Sequence, residues 1–305
     1  MKYVVSVSLG SSARNKKTET SLLGEDFVVE RIGVDGDFGK YREKLCELDG
    51  KADAIGLGGI DLYLWTADRR YTIRDAKKLA DCVKKSPVVD GSGIKNTIER
   101  KTIEYLNDKG IIDFSSSKAF MVCGLDRFGM SQTLDKVCKN VIYGDAMFAL
   151  GINAKIKNYR TLCRLGGLLL PIFCNVPFKM LYPTGNKQSE HYEKYNDVYA
   201  DSDIICGDYL FINKYLPGKE SGALKDKTII TNTLTEKALD NLKERGISKV
   251  ISTTPNFSGR NFGTNVFEGI LTVILGRSIY EVQNSDINSI LSELEWKPSI
   301  VYSKD

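Results

Sequence analysis

The chain has 305 residues, of which 42% are hydrophobic and 27% are charged, so a single small domain is excluded and two domains of ordinary size fit. Its 43 basic residues nearly balance its 39 acidic residues, the formal net charge is +4, and no run of five or six like charges occurs. Nucleic acid is therefore not the expected partner.

Cysteine usage and the N-terminal segment both favour a cytoplasmic protein. The cysteines are odd in number and form no C-x-x-C pair, which indicates reduced thiols rather than disulfide bridges or a zinc site. They are Cys46, Cys82, Cys123, Cys138, Cys163, Cys174 and Cys206. The first ten residues, MKYVVSVSLG, lack the long apolar core and cleavage site of a signal peptide, and their valines predict a first strand instead.

Two β-rich segments open the chain, at residues 3–9 and 27–34, and the second alternates apolar and polar residues as a half-buried strand does. Between them, the polar segment 10–17 could hold an anion through its serine hydroxyls and basic side chains; a solvated loop is the alternative. A helix is predicted over 40–48, and Gly50 follows it as a C-terminal stop.

The next predicted strand, 52–57, runs into Gly58-Gly59-Ile60-Asp61, and a hairpin is predicted over 62–73. Asp61 comes just after the strand end, beside two glycines that allow close approach of a ligand to the backbone. We therefore predict a catalytic carboxylate at Asp61, with a structural turn aspartate as the alternative.

A second glycine-rich turn, DGSGIKNT at 90–97, precedes a helix predicted from Ile98 onward. Its glycines relax the backbone, so that Asp90, Ser92, Lys95 and Asn96 can converge. A lysine near a helix start gains nothing from the helix dipole, so Asp90 or a bound anion would compensate its charge. We predict that Lys95 and Asp90 form a proton-transfer or substrate-orienting pair, with Ser92 and Asn96 at the substrate; a surface lysine beside a helix cap is the alternative.

The segment Lys118 to Asp145 is predicted to form one unit of strand, turn, helix and strand. Residues 119–123 and 140–143 are short apolar runs, and the apolar residues within 130–138 recur at helical spacing. The N-terminus of a helix that directly follows a buried strand suits a phosphate group. The polar segment 108–117 before this unit is the predicted domain boundary.

The turn inside this unit, G-L-D-R-F-G, carries a degenerate dinucleotide fingerprint in which Gly124 and Gly129 are kept and Asp126 replaces the middle glycine. We predict that Asp126 caps the helix, that Arg127 supplies positive charge for a pyrophosphate, and that Asp145 accepts from a ribose hydroxyl. NAD is expected over NADP, because the Asp145 carboxylate would repel a 2′-phosphate. An ordinary turn, with Asp145 as a solvated strand end, is the alternative.

A helical insertion is predicted over about 149–200. Its apolar stretch, Leu162 to Leu181, is interrupted by charges and prolines, which favours a buried hairpin, a lid or a homo-oligomer interface over a membrane span. Thr184 and Lys187 lie in a proline–glycine turn and are candidate substrate contacts, although a plain loop is the simpler interpretation. His191 is the only histidine and is expected at the surface.

Short apolar strands resume at 203–206, 228–231 and 250–252, with helices predicted at 235–245 and 264–276. Near-continuous apolar strands separated by helices predict a mostly parallel sheet covered on both faces. The fold class is therefore α/β, with an N-terminal domain at 1–112 and a Rossmann-like domain at 113–305. Ligands bind at the carboxyl ends of such strands, and the residues expected there are Gly124, Asp145, Asp208, Asn232, Thr253 and Thr254. Thr253 and Thr254 are predicted to contact the cofactor.

The segments VSVSLGSS, GLGGIDLYL, VVDGSGIKNTIER, GLDRFG, GDAMFALG, LYPTGNKQ and TTPNFSGRNFGTNVFEG together resemble an uncharacterised bacterial family labelled quinate 5-dehydrogenase. The resemblance spans essentially the full chain. It implies an NAD(P)-dependent oxidoreductase acting on a small hydroxylated acid, such as a quinate- or shikimate-like compound, with an N-terminal substrate domain and a C-terminal nicotinamide domain. In such enzymes a lysine and an aspartate act on the hydroxyl being oxidised, and Lys95 with Asp90 or Asp61 offers the local match.

A second class of function remains open, namely a non-catalytic small-ligand-binding or assembly protein on a dehydrogenase-like frame, because the glycine turn is degenerate and no histidine base lies near it. A third class, phosphoryl transfer at the turns 10–12 and 91–93, lacks the G-x-x-x-x-G-K-[ST] loop and ranks below both.

Overall fold

Two β-sheets with helices around them form the frame of the protein in the computed structural model, which describes residues 1–66, 69–177, 192–232, 234–254, 256–257, 260–261 and 263–304. The fold is mixed α/β, as the sequence predicts. Among the described residues, no helix is long and apolar enough to cross a membrane.

The first sheet has the strand order β2-β3-β1-β4-β7, in which all neighbours are parallel except the antiparallel pair β2 and β3. Its strands are β1 (Lys2–Ser8), β2 (Lys16–Leu22), β3 (Glu25–Gly33), β4 (Ala54–Gly58) and β7 (Val88–Val89). The predicted hairpin is confirmed as the antiparallel pair β5 (Tyr63–Thr66) and β6 (Arg69–Thr72). Helices α1 (Phe38–Leu48) and α2 (Arg74–Ala80) belong to the same half of the chain.

The second sheet has the order β15-β12-β11-β10-β8-β9, and only its edge strand β15 is antiparallel. Its strands are β8 (Lys118–Met121), β9 (Asn140–Tyr143), β10 (Ile204–Gly207), β11 (Thr228–Thr231), β12 (Lys249–Ser252) and β15 (Ser299–Ser303). The segments 119–123 and 140–143, predicted as the two strands of one unit, are parallel neighbours, since β8 pairs with β9.

Both faces of the second sheet are buried. Ala119 and Met121 of β8 pack in one apolar core, whereas Phe120 and Val122 pack in another on the opposite face. Successive side chains of a strand point to opposite faces, so a strand covered on both sides must be apolar at every position. This requirement explains the near-continuous apolar character of these strands.

The helices that follow the second sheet's strands are α4 (Phe128–Val137), α5 (Asp145–Ala149), α6 (Tyr159–Phe173), α7 (Asn196–Asp201), α8 (Tyr209–Lys214) and α9 (Glu236–Lys243). A short ribbon pairs β13 (Asn256–Phe257) with β14 (Arg260–Asn261). In α6, within the predicted insertion, Leu168 and Ile172 are exposed. Residues 178–191, which include the predicted substrate contacts Thr184 and Lys187 and also His191, lie outside the described residues.

Helix α3 (Ser92–Asp108) joins the two sheets. Ile94 and Ile98, near its N-terminus, pack in a core of the first sheet, whereas Ile103 and Leu106, near its C-terminus, pack in a core of the second. Side chains midway along α3 on its buried face therefore lie where the two sheets approach each other.

Helix α10 (Thr264–Leu275) corrects the predicted division of the chain at 112/113. Its residues Phe267 and Ile270 pack with Val4 and Phe27 in a core of the first sheet, although the sequence assigned them to the second domain. An apolar helix needs an apolar face to cover, and α10 covers one face of the first sheet. The next helix, α11 (Asn284–Glu293), joins the same core, and β15 then returns to the second sheet.

Candidate functional site

Lys95 of α3 links the carboxyl ends of the two sheets. Its ammonium nitrogen is 3.1 Å from a carboxylate oxygen of Asp126, which follows β8, and 3.9 Å from one of Asp61, which follows β4. Lys95 is only 8% exposed. In parallel sheets, ligands bind at the carboxyl ends of the strands, and this lysine contacts residues from that edge of both sheets.

The protonation of Lys95 follows from these contacts. Burial by itself would lower the pKa of the ammonium group, but the carboxylates of Asp126 and Asp61 outweigh burial and hold the pKa above its usual range. Lys95 is therefore a cationic hydrogen-bond donor at neutral pH rather than a free base.

The predicted pairing of Lys95 with Asp90 is corrected by the structure. One carboxylate oxygen of Asp90 accepts from the backbone N–H groups of Leu62 (2.7 Å) and Tyr63 (2.9 Å), and the other accepts from the N–H of Ser92 (3.0 Å). Asp90 thus holds the start of the hairpin against the start of α3. Backbone donors brought together by the two turns take up this carboxylate, and Lys95 pairs with other residues.

Arg127 lies beside Lys95 at the centre of a buried ion network. Its guanidinium donates to Glu99, to Asp208 at 2.7 Å and to Asp126 at 3.1 Å, and the residue is 6% exposed. Burial raises the pKa of Glu99, which is 1% exposed, and the positive charge of Arg127 opposes that rise. The predicted role of Arg127 on a pyrophosphate is not supported, because each of its three guanidinium nitrogens already donates to a carboxylate.

We refer to Lys95, Arg127, Asp61, Glu99, Asp126 and Asp208 as the polar cluster. It contains two cationic groups and four carboxyl groups, so its charge balance favours ligands that donate hydrogen bonds over anions. Among the described residues, no group of three or more histidine, cysteine, aspartate or glutamate side chains could hold a metal ion.

The turn between β8 and α4 does not fit the pyrophosphate of a dinucleotide. The N–H groups of Gly124 and Leu125 both donate to Asp145 at 2.9 Å, and the N–H of Gly129 donates to the side-chain oxygen of Asn96 at 3.0 Å. A dinucleotide site needs such N–H groups free to meet the phosphates. Asp126 adds a carboxylate to the same turn, and it pairs with Lys95 instead of capping the helix as predicted.

The two glycines of this turn serve packing. A Cβ atom on Gly124 would stand 2.8 Å from Leu162 and 2.9 Å from the Ser131 hydroxyl oxygen. A Cβ atom on Gly129 would lie 2.8 Å from the carbonyl carbon of Asn96, even closer to the carbonyl oxygen, and would force α3 and α4 apart. Asn96, predicted as a substrate residue, instead caps the start of α4, because its side-chain oxygen accepts from the N–H of Gly129.

Asp145 is buried, with 6% exposure, and it closes the glycine turn. A ribose hydroxyl, its predicted partner, would have to compete with two backbone N–H groups for its oxygens. The predicted cofactor residues Thr253 and Thr254 are also buried, and the Thr253 N–H donates to the carbonyl of Thr231 at 2.8 Å.

The stability of the fold should depend on the titration of Asp145. Burial raises the pKa of its carboxyl to about 6, from 3.8, against the opposing hydrogen bonds from Leu125 and Gly124. An acid whose pKa is higher in the folded state loses stability as pH rises between the two values. Relative to Asp145→Asn, the unfolding free energy of the wild type should fall by roughly 3 kcal/mol between about pH 3 and about pH 7.

Urea unfolding of both proteins across this pH range measures the difference. The control is Asp113→Asn, because hydrogen bonds from Ser116 and Ser115 lower the pKa of the exposed Asp113 carboxyl. The unfolding free energy of the wild type relative to Asp113→Asn should therefore rise with pH, which is the opposite sign. A wild-type minus Asp145→Asn difference that is flat with pH would contradict a buried, titrating Asp145.

Sequence reasoning missed a polar group on the other side of α3. The Tyr280 hydroxyl lies 2.7 Å from that of Ser92 and 3.3 Å from Asp90, and the fully buried Glu268 accepts from the N–H of Ile94 at 3.1 Å. Glu268 had a signal, since it is the one charged residue within the apolar stretch VFEGILTVIL. Glu99 also had a signal in the sequence, because it comes four residues after Lys95 and so lies on the same face of the helix.

Comparisons with known proteins give a family but no activity. Residues 93–303 match a family described as a domain of unknown function (DUF8754), and residues 3–90 match a second one, also described as a domain of unknown function (DUF8753). No curated protein matches the chain.

Solved structures of several kinds are distantly similar. Glutamate dehydrogenase from Thermus thermophilus is 10% identical over 96% of this chain and 73% of its own, with a TM-score of 0.43. NAD-dependent malic enzyme from Thermotoga maritima is 13% identical over 96% of this chain and 76% of its own, with a TM-score of 0.36. An ABC transporter solute-binding protein from Burkholderia multivorans is 12% identical over 92% of this chain and 95% of its own, with a TM-score of 0.38. At such low TM-scores these similarities carry no argument about function.

Proposed function

The chain belongs to the family described as a domain of unknown function (DUF8754), which assigns no activity, and from the polar cluster we propose that it binds a small hydroxylated ligand where the two sheets meet. Lys95 and Asp61 are the direct contacts in this proposal, and Asp126 orients the lysine. One observation carries the proposal: a buried ammonium group lies between carboxylates that follow β4 of one sheet and β8 of the other.

The chemistry of the cluster indicates the class of ligand. An ammonium group only donates hydrogen bonds and an ionised carboxylate only accepts them, whereas a hydroxyl group does both. A hydroxyl between Lys95 and Asp61 can accept from the first and donate to the second. The Asp61 side chain is 29% exposed, so a ligand can reach this carboxylate from the solvent side. The second carboxylate, Asp126, already accepts from Lys95 and holds the ammonium in place.

Replacing Lys95 by methionine tests the proposal. Calorimetric titration should reveal binding of neutral polyols to the wild type, and weaker binding of quinate and shikimate, whose carboxylates meet the excess of acidic groups in the polar cluster. The Lys95→Met variant should bind at least about tenfold more weakly, because a hydrogen bond from a charged group contributes about 1.5–3 kcal/mol.

The matched control is Lys109→Met, which removes the same charge at the exposed C-terminal end of the same helix and should bind as the wild type does. Circular dichroism must show both variants folded. Unchanged affinity in Lys95→Met, or no binding of any of these compounds to the wild type, would remove the polar cluster from the proposed role.

An NAD(P)-dependent oxidoreductase acting on a small hydroxylated acid is the second candidate. The observation that favours it is the same lysine beside Asp61, since a protonated lysine can donate to the oxygen of a carbonyl or hydroxyl group that changes its oxidation state. The resemblance to the family labelled quinate 5-dehydrogenase implies such a pair. The turn from Gly124 to Gly129 counts against this candidate, because its N–H groups are engaged within the protein.

Titration with NAD and with NADP separates the two candidates. The oxidoreductase requires one of them to bind, with NAD preferred if Asp145 faces the ribose. Ligand binding that persists while neither cofactor binds at millimolar concentration would leave the non-catalytic ligand-binding protein as the function.

A further inference from the structure

We infer that the loop after β1 holds a second binding site, for an oxyanion group such as phosphate or carboxylate, between the guanidinium groups of Arg14 and Arg31 above Gly10. This site goes beyond the proposed function and does not depend on the polar cluster. It lies at the carboxyl end of β1 and β3 in the first sheet.

The two guanidinium groups converge on one point. A Cβ atom on Gly10 would stand 2.6 Å from Nη2 of Arg14 and 2.9 Å from Nη2 of Arg31. Both groups therefore border the space directly above the Gly10 backbone, and the absence of a side chain leaves that space to them. Paired guanidinium groups supply the forked donors that match the oxygens of phosphate and carboxylate.

The loop is fixed in this shape before any ligand arrives. Hydrogen bonds tie it to the segment after β3: Gly33 N–H to the Asn15 side chain at 2.6 Å, Ser12 N–H to Asp35 at 2.7 Å, and Gly36 N–H to the Leu9 carbonyl at 2.8 Å. Gly33 permits this close packing, because a Cβ atom there would be 2.5 Å from the carbonyl oxygen of Ser11. A site held in its binding shape does not lose further conformational freedom on binding.

The positive charge at this point is not balanced by an ion pair. Arg31 donates to two neutral oxygens, the Ser8 hydroxyl and the Ser11 carbonyl, each at 3.0 Å. Within the described part of the chain, neither Arg14 nor Arg31 has a carboxylate at ion-pair distance. The nearby Asp35 accepts from the Ser12 N–H. Burial lowers the pKa of Arg31, and the like charge of Arg14 lowers it further, while the carboxylate of Asp35 acts in the opposite direction.

An anion between Arg14 and Arg31 would relieve the repulsion between their guanidinium groups. The loop after β1 also lies at an edge of the sheet where ligands bind. The N–H of Leu9 donates to the Gly58 carbonyl at 2.9 Å, so the loop borders the end of β4, the same edge of the sheet that presents Asp61. The carboxyl edge of a parallel sheet is where such folds hold their ligands.

The test is calorimetric titration with inorganic phosphate, and in a second arm with acetate, at constant ionic strength kept with chloride. Wild type should bind phosphate saturably, and Arg14→Gln should weaken binding about tenfold or more, as expected for loss of a charged hydrogen-bond donor. Gly10→Ala keeps every charge and fills the space between the guanidinium groups, so it should weaken binding as well. Stronger binding of acetate than of phosphate would identify the group as a carboxylate.

Lys16→Gln is the matched control, because it removes the same charge from an exposed residue close to the loop and should leave binding unchanged. Arg14 is itself exposed, so its replacement should not unfold the protein, which circular dichroism can verify. Equal weakening by Arg14→Gln and Lys16→Gln would mean diffuse attraction by surface charge and would overturn the inference. The absence of saturable binding of both anions to the wild type would overturn it too.

Discussion

Replacing Arg127 by leucine is expected to lower the free energy of unfolding by about 3–5 kcal/mol, the usual effect of removing one partner from a buried ion pair. The guanidinium is buried and donates to Glu99, Asp126 and Asp208. Without it, Glu99 would lose its ion-pair partner in the interior, and only the more distant Lys95 would still favour its charged form. Burial already raises the pKa of this carboxyl, so Glu99 in the variant should take up a proton at a higher pH than in the wild type. Urea unfolding monitored by circular dichroism measures the loss.

Two further variants show whether the loss of stability in Arg127→Leu arises because the ion pair is buried. Arg127→Leu combined with Glu99→Leu should be more stable than Arg127→Leu alone, since an apolar replacement of a buried pair is often tolerated. Lys118→Met breaks the exposed pair of Lys118 with Asp201, which is 2.7 Å long, and should leave the unfolding midpoint nearly unchanged. If Arg127→Leu is as harmless as Lys118→Met, the ion network contributes nothing to holding the two sheets together.

The second large effect is expected at Gly129, where replacement by alanine should destabilise the protein by about 2 kcal/mol or more. Alanine is ordinarily the better helix former by about 1 kcal/mol, so the sign alone is informative. The added methyl group would press on the carbonyl of Asn96 in α3, which is backbone and cannot rotate away. It would also displace the Asn96 side chain that accepts from the Gly129 N–H.

Gly167→Ala is the control for Gly129→Ala. Gly167 lies inside α6, and a Cβ atom there would meet nothing within 4 Å, so alanine should stabilise by about 0.5–1 kcal/mol. Thermal unfolding should therefore shift the midpoints of the two variants in opposite directions. A midpoint for Gly129→Ala at or above that of the wild type would show that α3 and α4 can separate without loss, and the close contact would then not fix the position of Lys95.

Several features of the fold and of the candidate site could be predicted because they depend on local patterns. Short apolar runs followed by glycine predicted the strands β8 and β9, and the β-rich segment 62–73 predicted the hairpin of β5 and β6. The glycine turn at 90–97 identified Lys95, because a lysine at a helix start requires a compensating partner.

The partners of those residues could not be predicted in the same way. Asp90 is only five residues from Lys95 in the sequence, yet backbone N–H groups of the hairpin engage its carboxylate, and Lys95 pairs with Asp126, 31 residues away. The glycine spacing at Gly124 and Gly129 suggested a phosphate turn, whereas packing against Leu162 and Asn96 explains both glycines.

The sequence by itself determined the parallel strands of the second sheet, that this sheet is covered on both faces, and that charged side chains gather at strand ends, because hydrophobic periodicity and turn chemistry act over a few residues. The tertiary structure decided that α10 packs on the first sheet and that α3 joins the two sheets along Lys95 and Glu99. Such pairings depend on which apolar faces cover one another and on which buried donor meets which carboxylate. These are interactions between residues far apart in the chain, and no local pattern specifies them.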